Sequence, residues 1–253
     1  MFRYFSLILS ILAGLNPDIP MAAGGTTTGH ERECVILLHG IGRSKSSMGR
    51  LEAFLSARGY RVVNFDYPST RESIERIADT FIPRAIAQCR VDPTDKIHFV
   101  THSLGGIIVR QYLQSNTLPE GSRVVMLAPP NHGSELTDYF ETFCFYKWIY
   151  GPAGQELGTD PESTPNRLKP IDIEVGILAG NRSMNPIFSP IIPGPDDGRV
   201  SVDHTAMAEM TDFLVIPTSH NGIVSNPAAL KQVAHFLEHG KFDHRGDGPD
   251  PKP

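Results

Sequence analysis

Ser103, Asp197 and His220 follow one another in an order, and in local settings, that suit nucleophilic attack on a carbonyl carbon. Ser103 lies in Thr101-His102-Ser103-Leu104-Gly105-Gly106, after the apolar run Ile97-His98-Phe99-Val100 and before the helix-like stretch Ile107 to Leu113. A serine on a sharp strand-to-helix turn holds its hydroxyl above the sheet edge, where a histidine can take its proton. Small residues flank such a serine because larger ones collide with the neighbouring strand or helix. Gly105 supplies one of them. Thr101 stands where glycine is usual, keeping a fairly small side chain but losing glycine's backbone freedom.

The base and the group that orients it should follow the serine, acid first and histidine second. Pro195-Asp196-Asp197-Gly198-Arg199-Val200 comes after the last strand-like run but one, and Thr218-Ser219-His220-Asn221-Gly222 after the final one. Both sit just beyond strand carboxyl ends, where open α/β sheets place their sites. Asp197 is the preferred carboxylate because Asp197-Gly198 makes a tight turn; Asp196 and Asp203 are the alternatives. Of ten histidines, only His220 lies directly after the last strand; His235 and His239 fall on the terminal helix and His244 in the polar end. His102 abuts Ser103 and is expected to point elsewhere.

A tetrahedral oxyanion needs two backbone donors. Leu104 N–H, directly after the serine, is one; Ile41 N–H, in Leu38-His39-Gly40-Ile41-Gly42-Arg43, is the other. Gly40-Ile41-Gly42 has neither the third glycine of a dinucleotide fingerprint nor a P-loop lysine, which argues against a nucleotide loop. No zinc-like Cys/His spacing occurs, and the chemistry as read requires no metal or cofactor.

These residues need a scaffold, and the chain supplies a regular one. Strand-like runs at Cys34 to Leu38, Arg61 to Phe65, Lys96 to Val100, Val124 to Leu127, Ile173 to Leu178 and Asp212 to Ile216 alternate with helical stretches at Lys45 to Arg58, Ser73 to Cys89, Leu104 to Gln114 and Pro227 to Glu238. Near-continuous apolar strands alternating with helices predict an α/β fold with a mostly parallel sheet covered on both faces. The rhythm breaks over 131–170, which carries the aromatic run Tyr139 to Tyr150 and the only tryptophan, Trp148. Gly151 to Leu157 reads as a turn into a loop.

The 253 residues suit one domain, and a net charge of −5 with interspersed signs has no basic stripe for nucleic acid. Residues 1–29 read as a secretory signal peptide or an uncleaved hydrophobic anchor: Arg3 precedes the apolar stretch Phe5 to Leu15, and small residues follow. That stretch falls short of the roughly 20 residues that span a bilayer. The expected location is therefore exported or membrane-attached, and cytoplasmic if the segment is not a signal. Three cysteines, Cys34, Cys89 and Cys144, leave at least one unpaired if the others bridge, and otherwise read as small buried hydrophobes. Residues 30–240 form the expected domain and 241–253 a disordered polar tail.

With these motifs in place, residues 33–239 resemble a bacterial α/β-hydrolase of the lipase/esterase kind. Leu38-His39-Gly40-Ile41-Gly42 and Thr101-His102-Ser103-Leu104-Gly105-Gly106 are similar to segments of small triacylglycerol lipases and of the PGAP1-like lipases. The resemblance implies a Ser103–Asp197–His220 triad, oxyanion donors Ile41 and Leu104, and an ester or lipid substrate, with transient contact to a lipid surface. The insert 131–170 has no counterpart in the resemblance. By position that insert is a cap whose Phe140, Phe143 and Trp148 would line an acyl pocket, or an aromatic helix closing the core. Acyl transfer or thioester cleavage on the same triad, and a non-catalytic binding protein of the same fold, are the rival readings.

Overall fold

All six apolar runs form strands, and every pairing between them is parallel: β1 (Glu33–Leu38), β2 (Arg61–Phe65), β3 (Lys96–His102), β4 (Arg123–Leu127), β5 (Glu174–Gly180) and β6 (Asp212–Ile216), in the order β2-β1-β3-β4-β5-β6. The computed structural model describes residues 30, 33–89, 92, 95–140, 143–184 and 186–246. The signal-peptide reading of 1–29 lies outside them.

Alternation along β1 decides where the helices go. Cys34, Ile36 and Leu38 face one apolar cluster, with α2 (Ile74–Cys89) and α3 (Leu104–Tyr112) packed over it. Val35 and Leu37 face the other, covered by α1 (Gly49–Ser56) and α8 (Pro227–His239). Both faces are buried, so the strands read as unbroken apolar runs rather than as alternating ones. The chain builds outward from β1 to β2 and then returns to β3 on β1's other side. The carboxyl ends of β1 and β3 therefore splay apart at a topological switch point, the usual crevice for ligands in such sheets.

α8 shows how local chemistry sets element ends. The Asn226 side chain accepts from Ala228 N at 2.8 Å, Pro227 opens the first turn, and Gly240 closes the helix at φ 69° with its N–H on Phe236 O.

Three expectations need correction. Cys34 and Cys89 are not separate buried thiols: they form a disulfide that ties β1 to the end of α2. Their separation of 55 residues closes a long loop, and opening it should cost roughly 3–4 kcal/mol of stability. Urea unfolding of Cys89→Ser against wild type measures this; coincident midpoints would show that the link is idle. Second, the polar tail is ordered over 241–246. Phe242 is buried against Phe236, and His244 Nε2 lies 2.9 Å from Asp212 Oδ1; residues 247–253 are outside the described set. Third, Gly151 to Leu157 does not open into a loop. The insert folds as α4 (Glu135–Phe140), α5 (Cys144–Gln155) and α6 (Thr164–Arg167), with α5 broken at Gly151 (φ 63°, ψ −163°). A β-carbon at Gly151 would stand 1.8 Å from the Thr70 carbonyl oxygen, so glycine lets the insert dock on the loop after β2. Pro152 fits the first turn of the second helical piece, where its missing N–H costs nothing.

Candidate active site

Ser103 follows β3 and caps α3 with φ 53° and ψ −122°, a backbone that residues other than glycine seldom adopt. Such a conformation costs about 1–3 kcal/mol and persists only where the surroundings impose it. They do: Ser103 N–H donates to Leu127 O at 2.9 Å, and Gly105 packs so tightly on β1 that a β-carbon would lie 2.8 Å from Leu38 O. Thr101 needs no glycine because it is a regular strand residue, paired with Leu38 and Met126. Its branched side chain is fully buried in front of Gly106, whose missing side chain makes the room.

Asp197 and His220 come from the loops after β5 and β6. His220 Nδ1 donates to Asp197 Oδ2 at 2.7 Å, which leaves Nε2 as the acceptor nitrogen. The other Asp197 oxygen, Oδ1, accepts from Arg199 N and Val200 N, both at 2.9 Å. His220 N–H also donates to Asp197 O, so backbone and side chain fix the pair together. Asp196 is engaged elsewhere, with Gly198 N and the Ser189 hydroxyl, and Asp203 is exposed on α7 (Val202–Thr205). Ser189 stands near the pair as well, but it opens a short 3₁₀ turn without positive φ and its hydroxyl is spent on Asp196.

Ser103 and His220, both nearly buried, line one cavity of about 260 Å³ together with Gly40, Ile41 and His102. Among the described residues, no protein acceptor takes the N–H of Ile41 or of Leu104. The next donors along the first loop are taken: Gly42 N–H by Ser69 Oγ and Arg43 N–H by Gly40 O. The Ile41 loop is braced from the side. Tyr67 stacks on His39 and donates its hydroxyl to His39 O, while Asp66 accepts from Lys45 N.

His102 differs from its expected placement. It turns into the site, its ring centroid 4.8 Å from that of His220, and its Nε2 donates to His220 O at 2.9 Å. Burial, reinforced by the neighbouring His220, pushes its pKa well below the usual histidine value, so it is a neutral donor. Gly40 leaves space for it: a β-carbon there would approach His102 Nδ1 to 2.9 Å. Only its adjacency to Ser103 hinted at this in the sequence.

The insert supplies the apolar wall. Phe140 lines the cavity as expected, but Phe143 and Trp148 are not brought to it. Phe143 packs on Phe140 and Phe145 from outside, and Trp148 is 86% exposed. Phe145, Ile149 and Leu157 from the insert, and Phe188 from the loop after β5, line it instead. Ser134 Oγ donates to Arg199 O at 2.8 Å, linking the start of the insert to the Asp197 loop. Among the described residues, no cluster of His, Cys, Asp and Glu could hold a metal ion.

A strained serine, an oriented imidazole, two free amides and an apolar cavity together can carry acyl transfer. Residues 35–231 match the model of the Alpha/beta hydrolase family. The chain belongs to that family. No curated protein sequence matches this hydrolase. Among solved structures it is similar to the Bacillus licheniformis lipase BlEst2 in mature form (TM-score 0.64, 20% identity, 83% of this chain and 92% of that one). It is also similar to a metagenomic carboxyl esterase (0.62, 18%, 90% and 81%) and to the phospholipase PlaB from Legionella pneumophila (0.62, 18%, 81% and 60%). At these identities the likeness is one of fold.

Proposed function

We propose that this α/β-hydrolase cleaves carboxylic esters of apolar acyl groups, with Ser103 as nucleophile, His220 as general base and acid, and Asp197 as its orienting carboxylate. The observation that carries the reading is that Ser103, forced into its positive-φ turn, shares one apolar cavity with the His220 that Asp197 holds. Ser103 Oγ adds to the ester carbonyl as His220 Nε2 takes its proton, and the oxyanion is received by Ile41 and Leu104 N–H. Collapse breaks the ester C–O bond, and His220 returns the proton to the leaving alcohol. Water then repeats the sequence on the acyl-serine, releasing the acid and free enzyme. His102, through the His220 carbonyl, positions the loop that presents the base.

Intact mass after incubation with a fluorophosphonate, beside a panel of p-nitrophenyl esters, thioesters and amides, tests this. One adduct on the Ser103 peptide with esters turned over fastest is the expected result. No adduct on folded protein would favour the non-catalytic reading, and faster thioester turnover the rival chemistry.

Contact with a lipid surface is the second part of the reading. Phe145, Trp148, Ile149, Met184 and Ile187 are each between 49% and 86% exposed, on the insert and the loop that wall the cavity. Exposed apolar side chains concentrated beside a binding cavity mark an interaction surface. Among the described residues no helix is long and apolar enough to cross a membrane, so the contact would be peripheral. Trp148 is the sole tryptophan, and its emission should shift to the blue on adding phospholipid vesicles. An unmoved spectrum at lipid levels that support hydrolysis would remove this part. The Cys34–Cys89 disulfide agrees with an oxidising compartment and hence with export.

A further inference from the structure

The same cavity that takes the acyl group carries two cations and no carboxylate at its surface. Arg43, two residues beyond Ile41, and Arg199, two beyond Asp197, both line it, and no acidic side chain does. Among the described residues neither guanidinium has a carboxylate within ion-pair distance. Two other guanidiniums are engaged: Arg123 with Glu174 at the amino-terminal edge of the sheet, and Arg110 on α3 with Asn131 under the insert. Asp66 lines the neighbouring groove, which Arg43 also borders, and accepts from Lys45 N. Burial chiefly holds His102 neutral, and the charges of Arg43 and Arg199 act in the same direction.

Two unpaired guanidiniums in a cavity of a protein whose net charge is −5 are out of keeping with its surface. Guanidinium is always charged, and its planar fork suits carboxylate and phosphate oxygens. A concave, partly apolar wall concentrates the field of such charges on whatever enters. Nothing in the ester chemistry requires them, because the oxyanion is already received by two backbone amides. Their position gives them a direction. Arg199 belongs to the loop that carries Asp197 and Arg43 to the loop that carries Ile41, while the aromatic rings of the lining come from the insert and the Phe188 loop and suit an acyl chain, which leaves the alcohol portion for the guanidiniums.

We infer that Arg43 and Arg199 form an anion subsite, and that the preferred substrate is an ester whose alcohol portion carries a negative group, phosphate or carboxylate, a few atoms from the scissile bond. The inference rests on the ester-hydrolase reading given above and narrows its substrate class.

Three butyrate esters of phenols test it, each with a two-carbon tether that ends in phosphate, carboxylate or a neutral methoxy group; the tether keeps leaving-group reactivity alike. The readout is the ratio of kcat/KM, anionic over neutral. Wild type should favour an anionic ester by about tenfold or more, the worth of one charge-assisted hydrogen bond, and added salt should lower the ratio. In the Arg43→Gln/Arg199→Gln double variant the ratio should fall to about one. Preference for phosphate over carboxylate would identify a phosphate-bearing alcohol, and the reverse a free acid. A wild-type ratio near one, or an equal loss on all three esters in the double variant, would overturn the subsite and leave the arginines a general role. Ether analogues of the same compounds, titrated calorimetrically into wild type and the double variant, read the subsite without turnover. A failure of ester hydrolysis would thus be told apart from a failure of anion recognition.

Discussion

Ser103→Ala should lower kcat for esters by about six orders of magnitude, to the residual rate that oxyanion donors and binding alone support. The variant should fold, and the protein itself supplies the reason. Ala128 already sits at φ 49° at the end of β4, so alanine is accepted in this backbone region at the same sheet edge. Losing the hydroxyl removes one polar atom from a site whose neighbours do not depend on it, since Ser103 is fixed by its backbone bond to Leu127. The control is Ser189→Ala, which breaks only the bond to Asp196 and should leave most of the rate. Unfolding midpoints matched to wild type, with fluorophosphonate labelling lost in Ser103→Ala alone, complete the result. Retained turnover in Ser103→Ala, or its loss in Ser189→Ala, would move the nucleophile.

Much of this was legible in the residues themselves because burial on both faces writes a parallel strand as an uninterrupted apolar run. β2 and β6 match their expected bounds, and the four others differ by only one or two residues at their ends. Ser103 and His220 were legible for another reason: the turn after β3 and the end of the last strand are positions defined by chain order. What stayed hidden depends on three-dimensional proximity or on side-chain direction. Cys34 and Cys89 meet only because α2 returns its last turn to the start of β1. Phe242 is one apolar residue in a polar run, and it packs because Gly176 on β5 leaves a hollow for its ring. Within the insert, an aromatic count cannot tell which ring faces inward. Phe145 and Ile149, four apart, share the cavity face of α5, and Trp148 between them is turned to solvent. The direction of Ser103 does not fix that of His102, because a strand end that passes into a positive-φ turn no longer alternates in the regular way.

Asp197→Asn should cut kcat by about 10⁴, and the fold should survive it. The asparagine oxygen can still accept from Arg199 N and Val200 N, so the turn that presents the loop is kept. Its amide nitrogen then faces His220 Nδ1, where the carboxylate Oδ2 now accepts a proton at 2.7 Å. Two donors cannot share that contact, so the imidazole must place its hydrogen on Nε2, the nitrogen that has to receive the serine proton. The base is lost through its tautomer, not through displacement. Asp196→Asn probes the adjacent carboxylate, whose partners are Gly198 N and Ser189, and Asp203→Asn an exposed one; each should cost tenfold at most. Binding of a product-like fatty acid should be little changed in Asp197→Asn, because its defect lies in proton transfer while the cavity walls stay in place. A full rate in Asp197→Asn with a collapse in either of the others would transfer the role to that carboxylate. Equal, moderate losses in all three would mean that the loop's shape, and not one oriented oxygen, is what His220 requires.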